Sequence, residues 1–436
     1  MDKLQRIHAH LLKRGLLHSS TLSQNSKQLS KGIKSPSAYC GFDPTAPLPH
    51  LGNLLQLLSL ARCSVQGIRP IILLGTATAT IGDISGKIGE RKTMKQTDVD
   101  KNSEKMGQAL LSLAENIARE AKVEHPFELL QNRKFYEGLG YLEFLQKFGS
   151  RISMSTMLGK EAVSSRLNNE DSLSYAQFSY QIIQAIDYLK LFRSQDCVLQ
   201  IGGSDQWGNI LGGVDLIGKF EGQDAHGLTT NLLLDSQGRK FGKSEGGAIF
   251  LDPTDENSFF NVWQYFINIA DCDVEKLLLT LTFLPEEQIQ AELQKSNLVP
   301  EERLAQKLLA ETVMRYLSQD QQVIDRVKNY EKYFSLDFAS LETNEQSSVK
   351  AFLRTLPKLS NTPLTSETKL KELLKAAFPS KSGRELQTIA SGGGVSINGR
   401  KEISIDRKIS DILPKGVEFA VLGLGKKEFV TFLQNE

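Results

Sequence analysis

The sequence predicts an α/β protein built on a parallel, doubly wound sheet, and three stretches carry that prediction. Residues 37–42 read as a short apolar strand that breaks at Asp43-Pro44, after which a helix opens through His50-Leu51-Gly52-Asn53. Pro70-Ile71-Ile72-Leu73-Leu74 is wholly apolar and is closed by Gly75. Cys197-Val198-Leu199-Gln200-Ile201 ends in Gly202-Gly203-Ser204-Asp205-Gln206-Trp207, where another helix starts. Short apolar runs closed by glycine and alternating with helices are the pattern of strands buried on both faces.

The first of these units has the form of an anion site. A strand, a sharp loop and a helix N-terminus present free backbone N–H groups and the positive end of the helix dipole to a ligand. Gly52 lets a nucleotide approach the backbone, and His50 adds a side-chain donor aimed the same way. The Gly203–Asp205 turn mirrors it; a close backbone beside a carboxylate suits a ribose diol, although an N-capping turn has the same composition. Ligands of open α/β sheets sit where the winding reverses, so two such loops predict one cleft.

The bulk composition bounds the rest. With 436 residues the chain is too long for one core. Its net charge of +1 advertises no global affinity for nucleic acid. No apolar run reaches the ~20 residues that span a bilayer, so no membrane partner is expected. Cys40, Cys63, Cys197 and Cys272 form no paired or metal-ligand spacing and read as reduced thiols. From Lys3 to Phe42 there is no acidic residue, while basic residues and serine are frequent. That is the composition of a mitochondrial transit peptide, or of a basic helix belonging to the fold. The mitochondrial matrix is the favoured compartment, with a bacterial-type cytoplasm as the alternative.

Further elements follow in order. Residues from about 92 to 172 read as mostly helical, with an amphipathic stretch over 104–121 and an apolar cluster at Tyr141-Leu142-Glu143-Phe144-Leu145. A long helix is expected over 175–192. It places Tyr180, Gln184 and Asp187 on one face, among the apolar Ile182, Ile183, Ile186 and Leu189. Polar groups aligned beside a buried surface need partners, either a ligand or an internal network. Gly238-Arg239-Lys240-Phe241-Gly242-Lys243-Ser244 puts two lysines around a glycine, a mobile cationic clamp if it is not a solvated hairpin. The expected domains are 1–255, with a helical insertion at 92–172 and the lysine loop at 238–245; a helical domain, 256–335; a linker, 336–369, rich in Ser, Thr and Asn; and a small α+β unit, 370–436.

His50-Leu51-Gly52-Asn53 and Lys240-Phe241-Gly242-Lys243-Ser244 resemble the His-x-Gly-His and Lys-Met-Ser-Lys-Ser signatures of class I aminoacyl-tRNA synthetases. The residues between them, above all Gly202-Gly203-Ser204-Asp205-Gln206-Trp207-Gly208-Asn209, resemble the tyrosyl enzymes of bacterial and organellar type. The resemblance implies a Rossmann-like catalytic domain, an α-helical anticodon-binding domain and a small RNA-binding domain. It also implies a homodimer that joins tyrosine to tRNA-Tyr at the expense of ATP with Mg²⁺. Tyr39 and Asp187 would hold the tyrosine hydroxyl; Tyr180, Gln184 and Asp83 its ammonium group; Gln206 its carboxyl end. Gly41, Asp43, His50, Gly52, Asn53, Gly203, Asp205 and Lys243 would hold ATP. His50, Thr45, Lys87, Arg91, Lys240 and Lys243 would neutralise the triphosphate during attack. Lys381 and Arg384, on a helix of the last unit, would meet tRNA, although the local excess of 11 Lys/Arg over 8 Asp/Glu there is small.

The pattern departs from the family at three places. Asn53 stands for the second His; Gly75-Thr76-Ala77-Thr78-Ala79 stands for Gly-Gly-Ala-Thr-Gly; Ile84 replaces a Pro in Gly82-Asp83-Ile84-Ser85. The rival reading is a structured-RNA binder or splicing cofactor of synthetase descent.

Overall fold

The computed structural model describes residues 2–22, 33, 35–85, 94–123, 125–168, 173–234, 236, 238, 241–244, 247–328, 368–379, 381–398, 400–413, 419–425 and 428–433. Two compact units emerge, one of residues 1–253 with 269–319, the other of residues 254–268 with 320–436.

The first unit is organised by strands that the apolar runs foretold. β2 (Ser37–Phe42), β3 (Arg69–Leu74) and β5 (Cys197–Gly203) form the centre of a six-stranded sheet in the order β1-β6-β5-β2-β3-β4. β4 (Glu128–Gln131) and β6 (His226–Thr230) extend it in parallel, and β1 (Leu17–Ser20) closes one edge antiparallel to β6. The winding leaves β2 in both directions, towards β3 and towards β5, which makes their C-terminal ends the switch point. β4 lies inside the segment read as mostly helical. Its residues are only half-buried, so periodicity gave it little signal.

Helices cover the sheet. α1 (Lys3–Lys13) buries Leu4, Ile7 and Leu11, and its Lys3 Nζ donates to the Gly67 carbonyl at 2.7 Å. Lys3, Arg6 and Lys13 are therefore built into the fold on α1. α2 (Leu51–Val65) and α3 (Gln96–Ala121) pack together, as do α7 (Tyr175–Gln195) and α8 (Trp207–Glu221). α4 (Tyr141–Lys147), α5 (Met154–Leu158) and α6 (Glu161–Asn168) lie between α3 and α7 in sequence. Gly213 of α8 sits against the ring of Tyr188, where an added Cβ would come within 2.8 Å of Cδ1, so the glycine is what lets α7 and α8 approach.

α9 (Glu256–Ile267) belongs to the second unit, whereas α10 (Asp271–Leu281), α11 (Glu286–Leu298) and α12 (Leu304–Leu317) belong to the first. Arg62 of α2 is fully buried and donates to the carbonyls of Thr280 (3.0 Å) and Thr282 (2.8 Å), at the C-terminal end of α10. Arg14 donates to the Leu284 carbonyl at 2.6 Å. Two guanidinium groups thus satisfy carbonyls that the helix end leaves open. Burial lowers Arg62 to about 9, and burial first, then Arg62, lowers His10 to about 4, so neutral His10 accepts from Arg62 at 3.1 Å.

In the second unit α9 packs with α13 (Gln321–Lys328). α14 (Leu370–Ala377) and α15 (Gly383–Ser391) accompany a four-stranded antiparallel sheet in the order β10-β9-β11-β12. Its strands are β9 (Val395–Ile397), β10 (Arg400–Glu402), β11 (Phe419–Leu424) and β12 (Glu428–Leu433). The core is Leu370, Leu373, Leu374, Leu386, Val395, Ile397 and Leu422. Most of the expected linker lies outside the described residues.

Removing the Arg62 guanidinium strands buried carbonyls and opens a hole. Arg62→Ala is expected to cost roughly 2–4 kcal/mol, read as a lower urea midpoint with unchanged m-value.

Candidate functional site

At the switch point a closed chain of side chains joins three strand ends to one helix. Tyr180 of α7 donates to Asp43 Oδ2 at 2.9 Å, just beyond β2. Thr78, beyond β3, donates to Asp43 Oδ1 at 2.7 Å. Asn132, beyond β4, donates to Thr78 Oγ1 at 3.2 Å and to Asp187 Oδ2 at 2.9 Å, while its own oxygen accepts from the Ala77 N–H at 2.8 Å. Asp187 returns the path to α7. Gly75 makes room for it, because an added Cβ would collide with Asp43 Oδ1 and Thr78 Oγ1.

Tyr39, on β2, points into this ring with only 1% of its surface exposed. Its hydroxyl is buried and has no hydrogen-bond partner among the described residues. Asp187 is 2% exposed and acts electrostatically on Tyr39; its Oδ1 accepts from the Tyr136 hydroxyl at 2.6 Å. Burial pushes the Asp187 carboxyl up to about 7, against the downward pull of its bonds from Asn132 and Tyr136. A buried hydroxyl left unpaired beside a carboxylate fits a ligand bearing a hydroxyl of its own.

A second cluster lies beside the first. Asp83 accepts from Gln206 Nε2 at 2.7 Å, and from the backbone N–H (2.9 Å) and hydroxyl of Ser85. Gln184 Nε2 donates to Gln206 Oε1 at 3.3 Å, as does Asn209 Nδ2, and the buried Gln184 Oε1 is without a partner among the described residues. Carboxylate and amide oxygens here would accept from an ammonium group.

The third part is the start of α2. His50 is the N-cap of α2. Its Nδ1 accepts from the Asn53 N–H at 3.2 Å, and Asn53 Oδ1 accepts from the His50 N–H at 3.0 Å. Asn53 thus completes a capping box, and the ring proton is placed on Nε2. Gly52 is required by the ring itself, since an added Cβ would lie 2.9 Å from His50 Cε1. β7 (Lys243–Ser244) and β8 (Gly247–Ala248) form a hairpin whose base is bonded to this turn. Leu51 N–H donates to Ile249 O (3.2 Å) and Leu251 N–H to Pro49 O (2.7 Å). Gly242, with φ +81°, lies against Leu51. Two stretches nearly 200 residues apart are joined by main chain.

The structure therefore brings together Tyr39, Asp43, Asp83, Tyr180, Gln184, Asp187 and Gln206, with His50 and Asn53 on α2. Gly41 is exposed on β2, and Thr45 is exposed with its N–H donating to Asp43 O at 2.7 Å. Asp205 leans over Gly203, where an added Cβ would come within 2.7 Å of Oδ1. Lys87, Arg91 and Lys240 lie outside the described residues, as does the side chain of Lys243. Lys381 is not on a helix: the Ser382–Glu385 capping box starts α15 after it, leaving only Arg384 in the first turn. Sequence reasoning missed Thr78, Ser85, Asn132 and Tyr136. The one available signal was the polar pair Gln131-Asn132 directly after Leu129-Leu130.

The altered Gly75–Ala79 loop is absorbed. Thr76 and Ala79 are buried, and Thr76 Oγ1 accepts from the Arg133 N–H at 3.4 Å.

Residues 32–334 match the family described as tRNA synthetases class I (W and Y). A tyrosine–tRNA ligase of Staphylococcus carnosus (strain TM300) is 35% identical over 417 residues, covering 95% of this chain and 96% of that protein. Among solved structures, a C-terminally truncated mitochondrial tyrosyl-tRNA synthetase of Aspergillus nidulans matches with TM-score 0.65 and 29% identity, over 75% of this chain and 93% of that one. The corresponding Coccidioides posadasii structure matches with TM-score 0.63 and 26% identity, over 74% and 91%.

The raised Asp187 carboxyl has a stability cost of definite sign. Below the unfolded value of 3.8 both states are protonated and nothing is lost; as pH rises towards about 7 the unfolded state ionises first, and stability falls. Asp187→Asn is therefore expected to be more stable than wild type above pH 7, by on the order of 2–4 kcal/mol, with the gain vanishing near pH 4 in urea titrations.

Proposed function

We infer that this chain, which belongs to the class I tRNA synthetase family of the tryptophan and tyrosine enzymes, is a tyrosine–tRNA ligase. It activates L-tyrosine with ATP to tyrosyl-adenylate and transfers tyrosine to the terminal ribose of tRNA-Tyr. The observation that carries the choice of tyrosine is the unpaired Tyr39 hydroxyl facing the field of buried Asp187. A phenol placed there donates to Asp187 and accepts from Tyr39. Phenylalanine would leave the Tyr39 hydroxyl unpaired and deprive the buried Asp187, already bonded by Asn132 and Tyr136, of a further donor, and that cost is the basis of selection.

Each remaining part of tyrosine has its own counterpart. The ammonium group is held by Asp83, Tyr180 and Gln184, and the carboxyl end by Gln206. With the amino acid fixed at three points, its carboxylate is aimed at the α-phosphorus of ATP, and pyrophosphate leaves. No covalent enzyme intermediate is needed, because positioning and charge neutralisation supply the acceleration. His50, with its Nε2–H, meets the phosphates at the start of α2, and Asp205 beside Gly203 meets the ribose. Thr45, Lys87, Arg91, Lys240 and Lys243 are assigned to the triphosphate through the sequence resemblance, and Mg²⁺ arrives with ATP as part of the substrate. The main-chain link between the β7–β8 hairpin and the His50 turn supports a lysine loop that moves against a fixed base.

The second unit, with Arg384 at the start of α15, is assigned to tRNA. A homodimer is assigned to the insertion, where Tyr141 and Leu142 are 63% and 73% exposed. The mitochondrial matrix fits both the fungal mitochondrial relatives and the acid-free N-terminal residues. Cleavage inside residues 3–20 would strip α1 and the edge strand β1.

Tyrosine-dependent ATP–pyrophosphate exchange tests the chemistry, with phenylalanine as control and charging of tRNA-Tyr as the second step. Wild type is expected to exchange with tyrosine alone; Asp187→Ala is expected to lose most of that preference, by on the order of 1–3 kcal/mol. Exchange absent from folded protein would favour the RNA-binding reading instead. For the dimer, Leu142→Glu is expected to shift sedimentation from a dimer towards a monomer.

A further inference from the structure

We infer that Tyr136 is the positioning residue that sets the charge with which Asp187 meets the substrate hydroxyl, and hence the pocket's specificity for a phenol. The inference rests on the reading that Asp187 faces the hydroxyl of tyrosine. Tyr136 belongs to the turn following β4, and its hydroxyl has two acceptors within reach. Asp187 Oδ1 lies at 2.6 Å and the Ile183 carbonyl, one turn back on α7, at 2.9 Å. A phenol has one proton, so the two contacts describe two proton arrangements of a single geometry.

In the first arrangement Asp187 is ionised. Tyr136 donates to Oδ1 and Asn132 donates to Oδ2. A carboxylate offers about four lone-pair positions, so acceptor capacity remains for a substrate hydroxyl. In the second, Asp187 carries a proton on Oδ1 and donates to Tyr136, whose own proton turns to the Ile183 carbonyl. Neither arrangement strands a donor; the second holds one proton more than the first, taken up from solvent, so pH sets the ratio between them. A protonated Asp187 has given up the charge that makes an unpaired phenol partner costly, and it discriminates weakly against phenylalanine.

The surroundings of Asp187 leave this balance to Tyr136. Facing it are Tyr39 from β2, Asp43 from the end of β2, Asn132 and Tyr136 from beyond β4, and Tyr180 on its own helix. Asp43 disfavours the ionised form, and burial disfavours it most, bringing the carboxyl to about 7. Among the described residues that the structure places against Asp187, none is a cation. The hydrogen bonds from Asn132 and Tyr136 are what hold the charge in place, and only the bond from Tyr136 can reverse direction.

The test uses the full-length chain and pyrophosphate exchange with tyrosine and with phenylalanine between pH 6 and 8.5. The two substrates share their ammonium and carboxylate groups, so the ratio of kcat/KM values cancels those titrations and reports the free enzyme's pocket. In wild type the tyrosine-to-phenylalanine ratio is expected to climb through about pH 7. In Tyr136→Phe the climb moves to higher pH, and near pH 7 the ratio falls by about tenfold or more, mostly through the KM for tyrosine. Tyr136→His, whose ring N–H donates to the same oxygen, is expected to recover part of the ratio.

A ratio and pH profile in Tyr136→Phe that superimpose on wild type, while Asp187→Ala loses its preference, would overturn the role of Tyr136 and leave the pocket reading intact. If Asp187→Ala keeps its preference, both fall together. Should Tyr136→Phe not fold, the wild-type profile decides, because a ratio that stays flat from pH 6 to 8.5 overturns the inference.

Discussion

The hydrogen-bonded ring from Tyr180 through Asp43, Thr78 and Asn132 to Asp187 is the constraint on which the site depends. It starts and ends on α7 and passes through the loops after β2, β3 and β4. Each polar atom along it has an assigned role: Thr78 donates to one neighbour and accepts from the other, and the Asn132 amide is spent on three partners. A network satisfied to this degree fixes rotamers at low dielectric, whereas one broken link would leave buried donors or acceptors exposed to their desolvation cost. The side chains of the ring are held rigidly for this reason. Among the described residues the Tyr39 hydroxyl and the Gln184 oxygen are buried without a hydrogen-bond partner.

That rigidity contrasts with the phosphate side of the cleft. There the links are few: a capping box at His50, and main-chain bonds from Pro49 and Leu51 to Leu251 and Ile249, which follow the β7–β8 hairpin. Main-chain bonds hold the base of the hairpin in register while saying nothing about its side chains. The Asn53 departure is tolerated on the same logic. Its amide oxygen serves the helix start, and the cap is complete without a second imidazole.

Much of this was legible in the sequence, and the reason is physical. Doubly buried strands write themselves as unbroken apolar runs, so β2, β3 and β5 were readable to within a residue or two. Tyr180, Gln184 and Asp187 were readable because polar residues on one face of an otherwise apolar helix demand partners. β1 and β4 were not, since edge or half-buried strands carry polar residues and no clean alternation; β6 is buried between β1 and β5, but Leu228 is its one large apolar residue. Lys381 was misplaced by one cap, because Ser382 and Glu385 fix where α15 begins. Asn132 and Tyr136 were missed for a deeper reason: each lies about fifty residues from Asp187, and no local period connects them.

The residues that went unread are also those that set the electrostatics. A sequence shows that Asp187 is acidic, but its charge at neutral pH depends on burial and on donors contributed by a turn beyond the sheet's far edge. Burial alone would neutralise the carboxyl and make it a donor; donors alone would hold it ionised in water. The site combines both, so the carboxyl lies near neutrality, with Asn132 fixed as a donor and Tyr136 able to reverse. Specificity for a hydroxyl then resides in how protons are distributed over Asp187, Tyr136 and the Ile183 carbonyl, and the fold's contribution is to bring β4 close enough to α7 for that distribution to exist.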